Sequence, residues 1–402
     1  MRKVLFIALI LAAAMLFATA HAVEVAPSEE SPTGFAVTFT FEDPEAARVR
    51  LYGEWAYCDP DDTSIVYSND EWRPGLLNNG GSYYDLVKGE DGVWSVTVPL
   101  PNGLFGYRFY VGGEGDELND VSNATITWDP ANKPKNMDEE MRTDQRGDYY
   151  LSTVYVPFDP EKQTDDYTVQ APRTDEYKGS IVFLKLSDET VGEQNLTLYL
   201  PYNFDADREQ PYKLFVLCHG GGGFYANWVN NGAADNIADN LIAEGKFDTD
   251  TVILMPDGTA MGFNRDNVDN FLVNTVQPFL YDNYNVSPDV ADHAFCGLSS
   301  GGGLTSGVMV FHTDDYKYYY EMSGARMGCG IEDADYEPLV GKDIVIRMTA
   351  GPLDIAKGDV EGVLAVLDAL GIPHTSAFDG VGHSWFTWRI NLADYLENYL
   401  WK

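Results

Sequence analysis

The residues best placed to do chemistry are Gly297-Leu298-Ser299-Ser300-Gly301, a G-x-S-x-G run that follows the apolar Phe295-Cys296 and leads through Gly302-Gly303-Leu304 into a helix-length stretch. Strand, sharp turn and helix form the context in which such a run lifts its central side chain above a sheet. Ser299, not Ser300, holds the central position. Glycines are needed on either side, because a strained serine with closely packed backbone leaves no room for neighbouring side chains. A serine held this way can attack an ester-type carbonyl once a base takes its proton.

The candidate bases are His219, His293, His312, His374 and His383. With nucleophile, acid and base in that chain order, only His374 and His383 lie far enough downstream with room for an acid between. His374 stands beside Pro373 at the start of the last apolar run, whereas His383 follows that run in Asp379-Gly380-Val381-Gly382-His383-Ser384-Trp385. A base belongs in a loop at the carboxyl end of a strand, so His383 is expected to activate Ser299. The orienting acid should follow the run Ile344 to Met348. Asp354 does so in Thr349-Ala350-Gly351-Pro352-Leu353-Asp354, with Asp359 as runner-up; the purely structural reading of Asp354 is a helix N-cap.

Leu217-Cys218-His219-Gly220-Gly221-Gly222-Gly223 supplies a further piece, a strand running into glycines whose backbone N–H groups can hold a developing oxyanion. The expected donors are the amide of Gly221, or next Gly222, together with that of Ser300, and His219 is expected to be structural. A phosphate-binding loop does not fit, since no Gly-Lys-Ser/Thr follows. No His, Asp and Glu set has ligand spacing along the chain, so neither a metal nor another cofactor is expected. Near the expected mouth stand Phe224, Tyr225 and Phe263, which are expected to touch substrate, while Trp228 and Trp385 read as core.

These residues require a scaffold. After Gly179, apolar runs (181–186, 196–200, 213–218, 252–255, 294–296, 344–348, 375–378) alternate with amphipathic stretches (233–244, 268–284, 303–311, 360–370), which implies a mostly parallel sheet covered on both faces. In such sheets chemistry gathers at the carboxyl ends of the strands. From Gly34 to about Trp128 the pattern is instead short alternating strands and turns, the signature of a β-sandwich. Trp94 alternates with solvent positions and reads as core; Trp55 and Trp72 lie in polar stretches and are better candidates for stacking on a glycan. The expected organisation is a leader at 1–22, a β-sandwich at 33–132, a linker or extended arm at 133–174 carrying Pro157, Pro160 and Pro172, and the catalytic domain at 175–402.

Composition narrows the partners. Lys and Arg number 26 against 63 Asp and Glu, a formal charge of −37, and this field repels nucleic acid and anionic membrane surfaces. Arg2 and Lys3 precede an apolar run from Val4 to Phe17 and small residues ending in Ala20-His21-Ala22, which reads as a secretory signal cleaved after Ala22 or Ala20. The run is shorter than the ~20 residues of a spanning helix, so a secreted or periplasmic protein without membrane insertion is expected. Cys58, Cys218, Cys296 and Cys329 form no C-x-x-C pair and read as buried free thiols.

Two resemblances carry these motifs further. Pro44 to Val49, Asp91 to Val96, Gly106-Tyr107-x-Phe109 and Trp128 to Asn132 resemble the family 48 carbohydrate-binding modules, which implies an immunoglobulin-like early-set sandwich. From about residue 180 the chain resembles carbohydrate esterase family 1, on the glycine loop at His219, Asn227-Trp228, Ala234-Asp235-Asn236-Ile237, Met255-Pro256-Asp257-Gly258, the Ser299 turn, Ser323-Gly324 and Gly382-His383-Ser384-Trp385. Ser300 departs from the Met common there, which leaves the backbone donor intact. The resemblance implies an α/β-hydrolase fold and an esterase of the feruloyl, acetylxylan or siderophore type. A β-domain fused to it resembles secreted plant cell-wall enzymes, so the implied substrate is a feruloylated arabinoxylan. The intact Ser299, Asp354, His383 order argues against an inactive carbohydrate-binding protein. Oligomeric state is not legible.

Overall fold

The computed structural model describes residues 23–113, 115, 117–135 and 151–402; the expected leader at 1–22 lies outside them. Alternation along Phe35–Glu42 turns Val37, Phe39 and Phe41 inward. That strand sits in a sheet ordered Glu24–Pro27, Phe35–Glu42, Val93–Pro99, Val87–Lys88. A second sheet is ordered Ala124–Thr127, Gly103–Gly112, Val49–Gly53, Ser82–Asp85. The sheets share one core, in which the Phe39 ring meets Tyr107 at 4.8 Å and Phe41 meets Phe109 at 4.9 Å.

Trp94 lies in this core, as its alternation implies. Trp55 does too, so of the two glycan-stacking candidates it is the one withdrawn into the core: it is fully buried and its indole N–H donates to Tyr84 Oη at 3.1 Å. The polar sequence around it hides a satisfied core residue. The strand Ser152–Val156 falls inside the expected linker yet pairs antiparallel with Gly103–Gly112, Gly103 facing Val156.

The second half forms an eight-stranded sheet ordered Ser180–Asp188, Gly192–Leu200, Thr251–Pro256, Lys213–Cys218, His293–Leu298, Tyr318–Met322, Val345–Thr349, Thr375–Ala377. The first two strands are antiparallel and the pairings from Lys213–Cys218 onward are parallel. Seven of these strands were legible as apolar runs. The eighth, Tyr318–Met322, was not, because its tyrosines and Glu321 read as polar although the strand interior is buried. Helices Ala234–Ala243, Ser300–Phe311, Lys357–Leu370 and Trp385–Asn398 cover the sheet. The expected helix at 268–284 is Arg265–Phe271 and Gln277–Tyr284, joined by a π-helical turn at Leu272–Val276. All four cysteines are buried and free. No helix among the described residues is long and apolar enough to cross a membrane.

The two halves are bolted together by buried polar groups. Arg389, 1% exposed on the last helix, donates to Leu104 O at 2.7 Å and to Asn231 O at 2.6 Å. Gln170 accepts from Leu104 N at 3.1 Å, and Asn240 donates to the carbonyls of Val169 and Ala171 at 2.9 and 2.8 Å. Charge-assisted and buried hydrogen bonds of this kind fix orientation, since breaking one leaves its partner unsatisfied.

Candidate active site

Ser299 joins the strand His293–Leu298 to the helix Ser300–Phe311 with φ 53° and ψ −121°. Its neighbours must be glycine. A Cβ on Gly297 would lie 2.2 Å from Gly301 O, and one on Gly301 would lie 2.3 Å from His219 O. The turn is anchored from behind, where Ser299 N–H donates to Met322 O at 2.8 Å.

His383, in the loop after Thr375–Ala377, brings Nε2 to 2.9 Å from Ser299 Oγ and Nδ1 to 2.8 Å from Asp354 Oδ1. That carboxylate oxygen also accepts from Ala356 N at 2.8 Å, so Asp354 meets both the histidine and the backbone entering the next helix. Burial would raise the Asp354 pKa, but the hydrogen bonds from His383 and Ala356 outweigh it and hold the carboxyl below its usual range. Asp359 lies elsewhere, with Oδ2 accepting from Arg326 N at 2.9 Å. His374 is turned to Ile372 O at 3.0 Å. His219 donates from Nδ1 to Gly220 O at 2.7 Å and accepts at Nε2 from Gly258 N at 3.0 Å, which uses both ring nitrogens to hold loops.

A cavity of about 290 Å³ opens over Ser299. Gly220, Gly221, Gly223 and Leu298 form its floor, and His383, Trp385 and Trp388 one side. Gly221 is next to Ser300: a Cβ there would meet Ser300 Oγ at 2.9 Å. Ser300 opens its helix, where first-turn N–H groups lack intrahelical partners. Gly222 is not in the lining.

Phe224, Tyr225 and Phe263 do not reach this cavity. Phe224 is fully buried and Tyr225 nearly so, packed with Trp228 beneath the glycine loop, because Phe224 N–H bonds to Asn227 Oδ1 at 2.6 Å and turns the chain inward. Phe263 lies edge-on to the His219 ring at 5.6 Å. Trp228 is core, as read from sequence, but Trp385 faces the cavity.

The opposite wall comes from the N-terminal half: Tyr52, Glu54, Arg108 and Leu151. Sequence reasoning missed these four, since nothing local in a β-strand says that it docks on a distant catalytic loop. Burial pushes the Glu54 carboxyl up and the Arg389 guanidinium down to about 10, while their mutual attraction pulls each back. Arg108 lies over the Tyr52 ring at 5.1 Å. A larger cavity of about 420 Å³ follows the same seam, lined among others by Trp72, Tyr167, Asp379 and Phe386, and does not include Ser299 or His383.

A strained serine hydrogen-bonded to a histidine that is in turn hydrogen-bonded to an aspartate, at the carboxyl ends of a mostly parallel sheet, is the arrangement of an α/β-hydrolase. The esterase family model matches residues 187–329. An endo-1,4-beta-xylanase/feruloyl esterase of Xylanibacter ruminicola is 25% identical over 347 residues, covering 82% of this chain and 42% of that protein. The chain thus spans less than half the length of this curated relative. Among solved structures, the feruloyl esterase module of Clostridium thermocellum with sinapinate aligns at a TM-score of 0.51 and 22% identity, over 58% of this chain and 91% of that one. The enterobactin esterase of Shigella flexneri aligns at 0.54 and 14% identity, over 90% of this chain and 92% of that one, so the shared fold extends into the N-terminal sheets. The match to the esterase family model and the likeness to the feruloyl esterase relative support a carboxylic ester hydrolase.

Proposed function

We propose that the protein is a secreted serine esterase that removes hydroxycinnamoyl groups, feruloyl above all, from plant cell-wall arabinoxylan. The observation that carries the reading is the continuous hydrogen-bond line from Ser299 through His383 to Asp354. In this mechanism His383 Nε2 takes the Ser299 proton as Oγ attacks the ester carbonyl, and the amides of Gly221 and Ser300 hold the oxyanion. The intermediate collapses to an acyl-enzyme as His383 returns the proton to the leaving sugar hydroxyl. Water, deprotonated by His383, then attacks the acyl carbon, and His383 returns that proton to Ser299 Oγ as the acid leaves. Asp354 holds the imidazole tautomer and stabilises its charged form throughout.

The acyl group is assigned to the cavity between Trp385 and the wall of Tyr52, Glu54 and Arg108, where an aromatic ring finds faces to pack on and polar groups for its phenolic substituents. The larger seam cavity suits the glycan chain. Residues 1–22 are assigned as the signal peptide, 33–132 as an immunoglobulin-like early-set domain, 133–174 as an arm and 175–402 as the catalytic domain. A catecholate siderophore ester is the second reading, favoured by a fold likeness to the enterobactin esterase that runs through both halves. Comparison of kcat/KM on methyl ferulate, acetylated xylan and a catecholate siderophore tests the choice: methyl ferulate should be preferred, and clear preference for either of the others overturns the acyl assignment while leaving the triad standing.

A further inference from the structure

At the far end of the helix that begins after Ser299, about 18 Å along its axis, four side chains from two segments converge. Asp266 and Asp269 share one face of the helix Arg265–Phe271, and His312 and Asp315 follow the C-terminus of Ser300–Phe311. His312 Nε2 donates to Asp266 Oδ1 at 2.9 Å, while Nδ1 faces Asp269 Oδ2 at 3.0 Å and Asp315 Oδ2 at 3.9 Å. Ligand atoms of Asp269, His312 and Asp315 all lie within 4.8 Å of one another. The Asp269 side chain is 3% exposed, and its Oδ1 has no hydrogen-bond partner.

We propose that this cluster is a binding site for one divalent transition-metal ion of the zinc type, held by Asp269, Asp315 and the Nδ1 of His312. Metal–ligand bonds of about 2.0–2.2 Å let a single ion reach all three with small side-chain movements. An imidazole with carboxylates suits such ions better than it suits calcium or magnesium. Asp266 supplies the outer partner: a metal-bound histidine donates its other N–H to a carboxylate, which fixes the ring and leaves Nδ1 as the ligand.

The charge balance points the same way. Three carboxylates, Asp266, Asp269 and Asp315, surround the single His312 ring, so acidic groups outnumber basic ones within the cluster. Arg265 comes within 3.6 Å of Asp266, but its guanidinium is committed to Cys329 O at 2.7 Å and to the Phe311 ring. The surrounding chain, at −37, concentrates cations. Along the sequence the cluster is invisible because its halves lie more than forty residues apart. Ion binding would tie the end of the nucleophile helix to its neighbour, and so act on stability rather than on the chemical step.

The test is calorimetric titration of untagged, chelator-treated full-length protein with zinc, against millimolar magnesium to suppress diffuse counter-ions, followed by thermal unfolding. One zinc per chain and a raised Tm are expected. Asp269→Asn and the partly exposed Asp315→Asn should each weaken zinc binding, and Asp266→Asn should weaken it about 10–100-fold. Should Asp269→Asn fail to fold, Asp315→Asn decides. Absence of saturable zinc binding, or binding unchanged in the Asp315→Asn variant, overturns the proposal.

Discussion

Replacing Asp354 by asparagine separates charge from geometry at the site. In the structure a single oxygen, Oδ1, accepts both from His383 Nδ1 and from Ala356 N. An asparagine carbonyl in that position keeps both bonds, with its amide in place of Oδ2. What it cannot supply is the negative charge facing the imidazolium that forms when Ser299 gives up its proton. Two unit charges about 4 Å apart attract by about 1 kcal/mol in water and about 4 kcal/mol at an effective dielectric of 20. The half-buried histidine beside a buried carboxylate lies between these limits, near 3 kcal/mol, or about a hundredfold in rate. If the amide flips instead, it forces the wrong tautomer and the loss grows to about 10⁴-fold. Asp354→Asn should therefore lower kcat and kcat/KM together by about 10²–10⁴-fold on methyl ferulate with little change in Tm, while Asp359→Asn stays within about twofold, as expected for a surface change. A loss below fivefold for Asp354→Asn, or a larger loss for Asp359→Asn, would refute the assignment of the acid.

Arg108→Ala should cost roughly tenfold in kcat/KM on methyl ferulate, the worth of one charge-assisted contact, and little on an aryl acetate; equal losses on both would remove Arg108 from the acyl wall. Glu321 is buried behind the Ser299 turn, and burial pushes its carboxyl up from 4.5 to about 8. It is protonated in the folded chain and ionised in the unfolded one at neutral pH, so its contribution to stability falls as pH rises from about 4.5 through about 8. Glu321→Gln should remove that slope, up to ~1.4 kcal/mol per pH unit, and parallel stability curves for the two proteins would contradict this. Gly297→Ala should prevent the turn from forming, given its contact of 2.2 Å with backbone, whereas Gly358→Ala, in a helix with nothing within 4 Å, should stabilise by up to ~1 kcal/mol; thermal unfolding of both distinguishes them.

How much was legible follows from whether a signal is local. Ser299, His383 and Asp354 were proposed from strand ends, glycines and chain order, which are properties of short segments, and the structure brings the three within hydrogen-bond reach. Their hydrogen-bond line was not itself in the sequence. Phe224 and Tyr225 were misassigned because adjacency to a glycine loop does not say which way the chain turns; the Asn227 side chain decides that. Tyr52, Glu54, Arg108 and Leu151 reach the cavity only through docking of two distant sheets on Arg389 and Gln170. The Asp266, Asp269, His312 and Asp315 cluster is likewise a product of helix packing. Tyr318–Met322 was lost as a strand because tyrosine hydroxyls and Glu321 mask burial that bonds such as Tyr320 Oη to Thr349 Oγ1, 3.0 Å, make possible.

The central claim is that Ser299 is the nucleophile. Its most direct test is the kcat of Ser299→Ala on methyl ferulate relative to the unaltered enzyme, with Tm measured alongside. A fall of about 10⁶-fold with unchanged Tm is predicted; a purified variant that keeps a tenth or more of the rate would contradict it.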